Sequence, residues 1–385
     1  MENAYEEHLC LCALQNLFGF EPKIPLALID RLGSAAAVFS LDHESLREIF
    51  GPYGKQDLIT KQALDDADKV LSTLPPDCRF IGFGEPGYPT LLAECPDPPA
   101  GIYYRSASPP EMVFRDLEAI AVVGTRNCSS YGYDMCDKVV RALVNSSRSP
   151  LIVSGLALGI DGIAHRAALD AGGTTVGVMA TGIEAVYPIR HKELAQRMVQ
   201  TPGCALVTDY PPGTQPLAIH FLRRNRIIAG LSRATILAES RIKGGGMITA
   251  RLAASYDREV FAIPGNIDCA QSQGCNLLIR EKVAEPITDV GEFVCSMGYA
   301  PPRLQTARDV EVAVREAFEK ELPQDQAEEL AQVAALVKRH RDITIEELAH
   351  AIGTDYARAA TLLGRLEAAG FARPDLLGRY RIPPR

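Results

Sequence analysis

The chain has 385 residues, of which 47% are hydrophobic and 23% are charged, and its formal net charge is −8. This composition is typical of two or three globular domains, and no apolar run reaches the roughly eighteen residues of a membrane span, which argues against a membrane partner. The N-terminus is acidic where a secretory signal would be basic, so we expect a cytoplasmic protein whose ten cysteines are free thiols. Nucleic acid would bind such an acidic chain only where cations are concentrated locally.

Residues 1–75 have the pattern of short helices. The sequence "ALIDRLGSAAAVF" predicts a helix that ends at Gly33 and a second helix that Ser34 caps. The segment resembles a helix-hairpin-helix or SAM-like domain. A packing role without a ligand is favoured over a binding role, because fold resemblance alone does not specify a function.

Residues 76–118 form a proline-rich lead-in to the next domain. Seven prolines between Pro86 and Pro110 exclude long helices and favour an extended connector. The sequence "AGIYYRS" within it predicts a short strand.

Residues 119–290 alternate between short apolar runs and helical patterns. The runs are "AIAVVG", "PLIVSG", "TTVGVMA", "CALVTDY", "ATILAES" and "EVFAIPG". Strands that are buried on both faces and alternate with helices predict an α/β fold with a doubly wound parallel sheet. We assign residues 76–295 to this domain and expect its ligand at the carboxyl ends of the strands.

The chain changes character after this domain. We predict a linker at residues 296–322, which contains an acidic helical stretch, and a winged-helix domain at residues 323–385. In that domain Thr344 and Glu347 form a capping box, "TDYARAATLLGRLEAAG" is a second helix that ends at Gly370, and "FARPDLLGRYRI" is a hairpin.

Three arginines of the winged helix are candidates for DNA contacts, namely Arg358, Arg365 and Arg379. Six arginines against three acids in residues 354–385 are a modest excess for a domain that reads a DNA groove. A protein-interaction or packing role is therefore an equal alternative for this domain.

Polar and glycine-rich loops follow the predicted strands. The first strand leads into "GTRNCSSYG", where Arg126 and Asn127 precede a helix whose open backbone N–H groups suit an anion. Gly155 follows the second strand in a crowded loop, and Lys192 follows the third. Neither a G-x-G-x-x-G fingerprint nor a Walker motif is present, so we predict no nucleotide cofactor.

Asp161 and His165 stand four residues apart on one predicted helix face. A catalytic pair or a metal site is conceivable there, but a structural pair is favoured, since no third ligand stands nearby in sequence. None of the cysteines lies in a C-x-x-C pair either. We therefore predict no metal site and no catalytic residue.

Residues 223–243 concentrate positive charge, because six Arg and Lys residues stand against one acid, for a local net charge of +5. We predict that Arg223, Arg224, Asn225 and Arg226 lie at the start of a helix, where guanidinium groups bind phosphate oxygens in a bidentate way. A solvated basic face is the alternative interpretation.

The sequence "KGGGMITAR" predicts a second anion-binding loop after the next strand. Its glycines let the backbone approach a phosphate, and a threonine offers a hydroxyl. The candidate residues are Lys243, Gly244, Gly245, Gly246 and Thr249. Two such sites fit a groove that follows the backbone of single-stranded nucleic acid, with Tyr187, Tyr210 and Phe221 as candidates for base stacking or for the core.

These motifs together resemble the DNA-processing protein A (DprA/Smf) family. "VVGTRNCSSYG", "IVSGLALGIDGIAHRAAL", "DYPPGTQP", "FLRRNRIIAGLS", "GGGMITARLA" and "EVFAIPG" occur in the family's order. The resemblance covers about residues 80–290, and "RRNRIIAGLS" is highly specific.

The resemblance implies an extended Rossmann fold that binds single-stranded DNA, flanked by SAM-like and winged-helix domains. It also implies delivery of that DNA to the RecA recombinase in natural transformation, a homodimer through the Rossmann domain, and no catalytic reaction. By position, it assigns phosphate contacts to Arg126, Gly155, Lys192, Arg224, Asn225, Arg226 and residues 244–246.

This sequence departs from the family at three places. Leu158 stands where an arginine is usual, "GGGM" replaces a loop with serines, and Asp209 stands where a glutamate is usual. The first two departures predict weaker DNA contacts.

Two other functions stay open at this point. One is an enzyme that cleaves nucleoside monophosphates, as the related phosphoribohydrolases do, although "GGGMITARLA" lacks their catalytic glutamate. The other is a regulator that binds duplex DNA through the winged helix.

Overall fold

A computed structural model of the chain describes residues 2–51, 54–115, 118–299, 307–319, 322–340, 342–375 and 377–382. The chain divides into two units, Met1–Ala300 and Pro301–Arg385. None of the helices in the described ranges is long and apolar enough to span a membrane.

The first unit begins with a helical region. Its helices are α1 (Glu2–Phe18), α2 (Lys23–Leu32), α3 (Ala35–Ser40), α4 (His43–Phe50) and α5 (Lys61–Thr73), with a 3₁₀ turn at Gln56–Leu58. The predicted break after α2 is confirmed, since Gly33 has a left-handed φ of 90° and Oγ of Ser34 accepts a hydrogen bond from the N–H of Ala37 at 3.0 Å. Leu14 and Phe18 share a core with Tyr103, so the helices pack on the sheet that follows.

Nine strands form one sheet within the described residues. They are β1 (Cys78–Gly82), β2 (Gly101–Arg105), β3 (Ala119–Gly124), β4 (Leu151–Ser154), β5 (Thr175–Val178), β6 (Ala205–Thr208), β7 (Ala234–Glu239), β8 (Glu259–Ala262) and β9 (Glu285–Pro286). Their order across the sheet is β1-β2-β6-β5-β4-β3-β7-β8-β9, and neighbours from β6 to β9 pair in parallel. The six predicted strands are thus confirmed as β3 to β8, in the predicted parallel sheet.

The proline-rich lead-in forms the antiparallel edge of this sheet. The predicted strand in "AGIYYRS" is confirmed as β2, which pairs antiparallel with β6 and with β1. The sequence analysis did not predict β1 or the two-residue strand β9. In the described part of the lead-in the helices have only four residues, α6 (Thr90–Ala93) and α7 (Pro110–Val113), as the density of proline requires.

Helices cover both faces of the parallel strands. They are α8 (Ser130–Val144), α9 (Ile160–Asp170), α10 (Lys192–Gln200), α11 (Ala218–Gly230), α12 (Gly245–Ser255), α13 (Gln273–Arg280) and α14 (Val290–Ser296), with a 3₁₀ turn at Ile189–His191. One core contains Val140 of α8 and Ile163 of α9, and another contains Ile227 of α11 and Ala250 of α12. The sheet is therefore doubly wound, as predicted.

The strand order reverses at β3, which lies between β4 and β7. The chain leaves β3 towards β4, β5 and β6 on one side and returns later to place β7 on the other. In open α/β sheets such a switch point leaves a crevice at the carboxyl ends of the strands. The site described below lies there.

The second unit consists of α15 (Ala307–Phe318), α16 (Gln324–His340), α17 (Ile345–Ile352), α18 (Tyr356–Ala368) and a hairpin of β10 (Arg373–Pro374) and β11 (Tyr380–Arg381). The capping box of Thr344 and Glu347 is confirmed, and the predicted hairpin is present. This order of helix, turn, helix and hairpin is the one that the predicted winged helix requires. The assignment of this unit to that domain type stays a prediction.

The predicted linker differs from the structure at both ends. At its start, Met297 and Tyr299 are buried in a core of the first unit. Residues 307–318 form α15, whose Val310, Val314 and Phe318 are buried in the core of the second unit. Their spacing of four residues places them on one face of the helix. Residues 300–306 and 320–321 of the predicted linker lie outside the described residues, and the domain boundaries at 75, 295 and 322 stay predictions.

Candidate functional site

A cleft of about 340 Å³ opens where β3 ends, at the switch point of the sheet. Its walls come from the loop after β3, the loop before α9, the middle of α11 and the start of α12. The lining residues are Val123, Gly124, Thr125, Arg126, Ala157, Asp161, Phe221, Leu222, Arg224, Asn225, Ile228, Gly244, Gly245, Gly246 and Thr249. The structure therefore brings Arg126 of the "GTRN" motif and Arg224 of the "RRNR" motif together with the glycine loop.

Arg224 is the buried cation of this cleft. Its side chain is only 3% exposed, yet its Nε and Nη1 donors have no hydrogen-bond partner among the described residues. Burial lowers the pKa of the guanidinium to about 10, with neighbouring Asp161 acting in the opposite direction, so the group stays charged at neutral pH. Because unpaired buried donors are costly, an anion in the cleft would stabilise this arrangement.

Gly155 provides the space that Arg224 occupies. A Cβ atom at this position would overlap with Nη1 of Arg224 and would lie 2.6 Å from Oδ2 of Asp161. Any larger residue would therefore displace the guanidinium. The predicted role of Gly155 in the site is thus one of spacing.

Asp161 is the one acid among the residues that line the cleft. Its Oδ2 accepts a hydrogen bond from the N–H of Ala157 at 3.3 Å. Burial raises the pKa of the carboxyl, although Arg224 opposes this effect. The carboxylate holds the loop before α9 and partly balances the buried arginine, which is the structural role favoured by the sequence.

His165 does not pair with Asp161. Its Nδ1 donates to Oγ1 of Thr175 at 2.7 Å, since that hydroxyl donates in turn to the carbonyl of Ile152 at 2.8 Å. Burial lowers the pKa of the imidazole to about 3, so it is neutral. Within the described residues there is no group of three His, Cys, Asp or Glu side chains that could hold a metal ion.

The glycine loop forms the N-terminus of α12, as the predicted anion site requires. The helix begins at Gly245, so its first backbone N–H groups have no partner within the helix. A Cβ on Gly246 would lie 3.0 Å from Cα of Gly124, which brings α12 against the end of β3. Thr249, one turn later, is buried and lines the cleft.

We expect Gly246→Ala to lower the free energy of unfolding by about 1–3 kcal/mol, because its Cβ would press on the backbone of β3. Gly245→Ala is the matched control, since a Cβ there meets nothing within 4 Å, and its expected change is within about 0.5 kcal/mol. Urea unfolding of both variants measures the difference. Equal unfolding midpoints would show that the close approach of α12 to β3 is not required.

Aromatic side chains flank the cations on one side of the cleft. The guanidinium carbon of Arg126 lies 5.1 Å from the ring centre of Phe221, which is 5.5 Å from the ring of Tyr187. Arg126 and Asn127 are exposed, and the Tyr187 side chain is 47% exposed. Tyr210 is buried, which assigns it to the core instead. Phe221 and Tyr187 keep a position suited to stacking.

The helix that carries the arginines starts earlier than predicted. We predicted its start at Arg223, whereas α11 begins at Ala218. The apolar residues Ile219 and Leu222 extend the helical pattern in the N-terminal direction. The backbone N–H groups at 223–226 are therefore inside the helix, and only side chains there can bind a ligand.

Arg226 points away from the cleft. Its Nη2 forms an ion pair with Oδ2 of Asp209 at 2.6 Å, and its Nη1 donates to the carbonyl of Asp97. Asp209 is only 2% exposed and Arg226 is also buried. The structure thus gives this arginine a structural partner where the motif predicted a phosphate contact, and Asp209 occupies the position where the family usually has glutamate. Asn225 lines the cleft as predicted.

The remaining residues that we predicted to bind phosphate in the first unit lie outside the lining of the cleft. Arg223 is exposed, and its Nη1 donates to the carbonyl of Phe20 at 2.8 Å. Lys243 and Lys192 are exposed at the starts of α12 and α10, outside the lining of the cleft. Their roles stay predictions. Sequence reasoning did not single out Ala157, Leu222 and Ile228 of the lining, because small and apolar residues carry no chemical signal.

The three candidate arginines of the second unit are exposed. Arg358 forms an ion pair with Glu329 at 2.7 Å, and this acid partly balances the charge of the arginine. Arg365 lies on α18, and Arg379 precedes β11, where its N–H donates to Asp375 at 2.9 Å. These contacts do not test whether the three arginines bind DNA, so that role stays a prediction.

The model of the family described as DNA recombination-mediator protein A matches residues 79–298, more than half of the chain. The chain is 42% identical over 194 residues to the DNA processing protein DprA of Streptococcus pneumoniae, and this match covers 50% of the chain and 66% of that protein. It is 37% identical over 223 residues to the protein Smf of Synechocystis, covering 58% of the chain and 55% of that protein. The chain thus spans between about half and two thirds of the length of these relatives.

Two solved structures share the fold. The X-ray structure of DprA from Streptococcus pneumoniae aligns with a TM-score of 0.62 and 31% identity, and it covers 75% of this chain and 95% of that chain. The structure of DprA from Helicobacter pylori, described as having a unique single-stranded DNA binding mode, aligns with a TM-score of 0.50 and 26% identity over 57% of this chain and 95% of that chain. The Rossmann-like fold predicted from the sequence is confirmed by this likeness.

Proposed function

Because the chain belongs to the DNA recombination-mediator protein A (DprA/Smf) family, we propose that it binds single-stranded DNA by holding the phosphate backbone in the cleft at the end of β3. The observation that carries this proposal is Arg224. A buried guanidinium with two unpaired donors, beside the open N-terminus of α12, has the chemistry of a phosphate site.

The surroundings of the cleft favour a single strand over a duplex. Arg126 and Phe221 are stacked at the rim, and Tyr187 beside them is half exposed. Exposed aromatic rings bind the faces of bases, which are open in a single strand and covered in a duplex. A phosphate groove with adjacent stacking positions is the usual design of sites that bind single strands with little sequence preference.

A salt series on single-stranded and duplex oligonucleotides tests this function. We expect the affinity of the full chain for the single strand to fall steeply as salt rises, because phosphate contacts release counterions, and we expect weaker binding of the duplex. The double variant Arg126→Ala/Lys243→Ala removes one exposed cation from the lining of the cleft and one beside it. It should lower the affinity, and the salt slope should fall by the equivalent of roughly two phosphate contacts.

Arg79→Ala is the matched control for that experiment. Arg79 is an exposed cation on β1, and five strand spacings of roughly 4.8 Å each separate β1 from β3. Its removal should leave affinity and slope unchanged. An equal loss of affinity in the control and in the double variant would show that the binding depends only on the overall charge. It would reject the cleft as the site.

The remaining parts of the proposed function come from the family resemblance. We propose that the chain forms a homodimer through the Rossmann domain and delivers bound DNA to the RecA recombinase in natural transformation, without catalysing a reaction. Sedimentation over a range of protein concentrations tests the dimer. The rate of recombinase assembly on single-stranded DNA that is coated with a competing single-strand-binding protein, with and without this chain, tests the delivery.

A further inference from the structure

A second arginine and aromatic pair lies beside α11, and its aromatic ring comes from the helical region. The guanidinium carbon of Arg223 lies 4.6 Å from the ring centre of Phe20, and its Nη1 donates to the carbonyl of the same residue at 2.8 Å. Phe20 belongs to the short segment between α1 and α2. The helical region thus reaches the helix that carries the buried arginine of the cleft.

The ring of Phe20 is held in place but only half covered. It packs at 5.4 Å from the ring of His220 and at 5.8 Å from the ring of Tyr210, both of which are buried. Its own side chain is 49% exposed. A ring that its neighbours hold in place and leave half exposed has room for a further flat group to stack on it.

The segment that carries Phe20 is anchored on both sides. Gln15 donates through Nε2 to the carbonyl of Asp209 at 2.7 Å, and its Oε1 accepts from the N–H of Gly101 at 3.3 Å. Phe18 is buried in the core of the helical region. The position of the ring is therefore fixed by the fold before any ligand binds, which lowers the entropy cost of a contact.

The charge around the ring suits a nucleic acid. Arg223 uses one of its donors on the carbonyl of Phe20, and no other partner of it occurs among the described residues. The neighbouring acid Glu21 forms an ion pair with Lys55, so its charge is balanced. The pair of Arg223 and Phe20 has the same arrangement as the pair of Arg126 and Phe221. Phe221 and Arg223 lie two residues apart on α11, so the two pairs lie on different sides of this helix.

We propose that Phe20, together with Arg223, stacks on a base of the bound single strand, so that the helical region supplies part of the DNA site. This inference rests on the proposed function, because it takes the strand in the cleft as its starting point. Bases stack on aromatic rings and on guanidinium planes without regard to sequence. The strand would run from the phosphate cleft over α11 to the helical region.

A tryptophan at this position reports stacking directly. The chain contains 13 tyrosines and no tryptophan, so Phe20→Trp introduces a single tryptophan. Its emission can be excited at wavelengths where tyrosine does not absorb, and a stacked base quenches it. We expect quenching when an oligothymidylate saturates the protein. Tyr5→Trp is the matched control, since Tyr5 is 56% exposed in the same helical region and lies roughly 20 Å from Phe18 along α1. Its emission should stay unchanged.

The affinity of Phe20→Ala gives an independent measurement. We expect a loss of at least about fivefold for oligonucleotides long enough to reach from the cleft to position 20, as for one stacked base. Oligonucleotides that fill only the cleft should bind as they do to the wild type. Tyr5→Ala should bind as the wild type at every length, and circular dichroism of each variant checks that the helices are retained.

The outcomes separate this inference from the proposed function. Unquenched emission of Phe20→Trp at saturation, with unchanged affinity of Phe20→Ala, overturns the stacking role while leaving the phosphate cleft intact. An affinity loss in Phe20→Ala that is equal at all lengths, without quenching, also overturns it, because the residue would then act only by packing. Failure of the wild type to bind single strands would overturn both.

Discussion

Arg224→Ala is expected to lose about a hundredfold in affinity for single-stranded DNA at moderate salt while it remains folded. The variant removes two charge-assisted hydrogen bonds to phosphate, which together contribute about 3 kcal/mol. Nε and Nη1 of this guanidinium have no hydrogen-bond partner to lose among the described residues, but the variant leaves the buried Asp161 without the cation beside it and should lose some stability. Binding is therefore compared under conditions where the variant is fully folded. Fluorescence anisotropy of labelled oligonucleotides over a salt series measures both the affinity and the number of phosphate contacts.

Arg224→Lys is the companion variant, because it keeps the charge and removes the planar fork. We expect it to bind between the wild type and Arg224→Ala, since lysine contacts a phosphate as a point charge without bidentate geometry. In Arg224→Ala the salt slope should fall by the equivalent of about one phosphate contact, whereas in Arg224→Lys it should stay near the wild-type value. Wild-type affinity in both variants would place the phosphate site elsewhere.

Arg226→Ala is expected to show the opposite pattern, with a large loss of stability and little direct effect on DNA binding. It leaves the carboxylate of Asp209 buried without its cation, and Oδ1 of that carboxylate has no hydrogen-bond partner among the described residues even before the substitution. Breaking a buried ion pair by removing one partner costs about 3–5 kcal/mol. Guanidinium chloride unfolding should therefore show a markedly lower midpoint for this variant.

The double variant Arg226→Met/Asp209→Asn controls for the origin of that loss. It removes both charges and fills the space with an uncharged side chain, so it should recover much of the stability that Arg226→Ala loses. Binding measured where each variant is fully folded should stay within a few-fold of the wild type, because Arg226 does not line the cleft. A loss of binding as large as that of Arg224→Ala would instead return Arg226 to the phosphate site.

Much of the fold follows from local pattern. The six apolar runs predicted the six parallel strands from β3 to β8 because strands buried on both faces need continuous apolar sequence. Gly33, Ser34 and the capping box of Thr344 and Glu347 marked helix ends correctly, since capping depends on residues three or four apart. The edge strand β1 carried no such signal, because five residues with one exposed Arg do not establish a period.

The location of the site was also predictable. Parallel strands that are connected by helices all end at one edge of the sheet, so the loops after β3, β4 and β7 had to lie near one another. The concentration of arginine and glycine in those loops indicated an anion. We predicted the start of α11 five residues too late. The first arginine was taken as the start of the helix, although the apolar residues of the helix begin before it.

The tertiary structure alone decided what each arginine of "RRNR" does. Along a helix successive side chains turn by about 100°, so neighbours in sequence face different surroundings. Arg223 meets Phe20 from the helical region, Arg224 meets the cleft beside Gly155, and Arg226 meets Asp209 after β6. The sequence determined that cations would gather at this edge of the sheet. Which cation stays open to a ligand depends on partners distant along the chain, and only the folded packing of helix on sheet brings those partners to it.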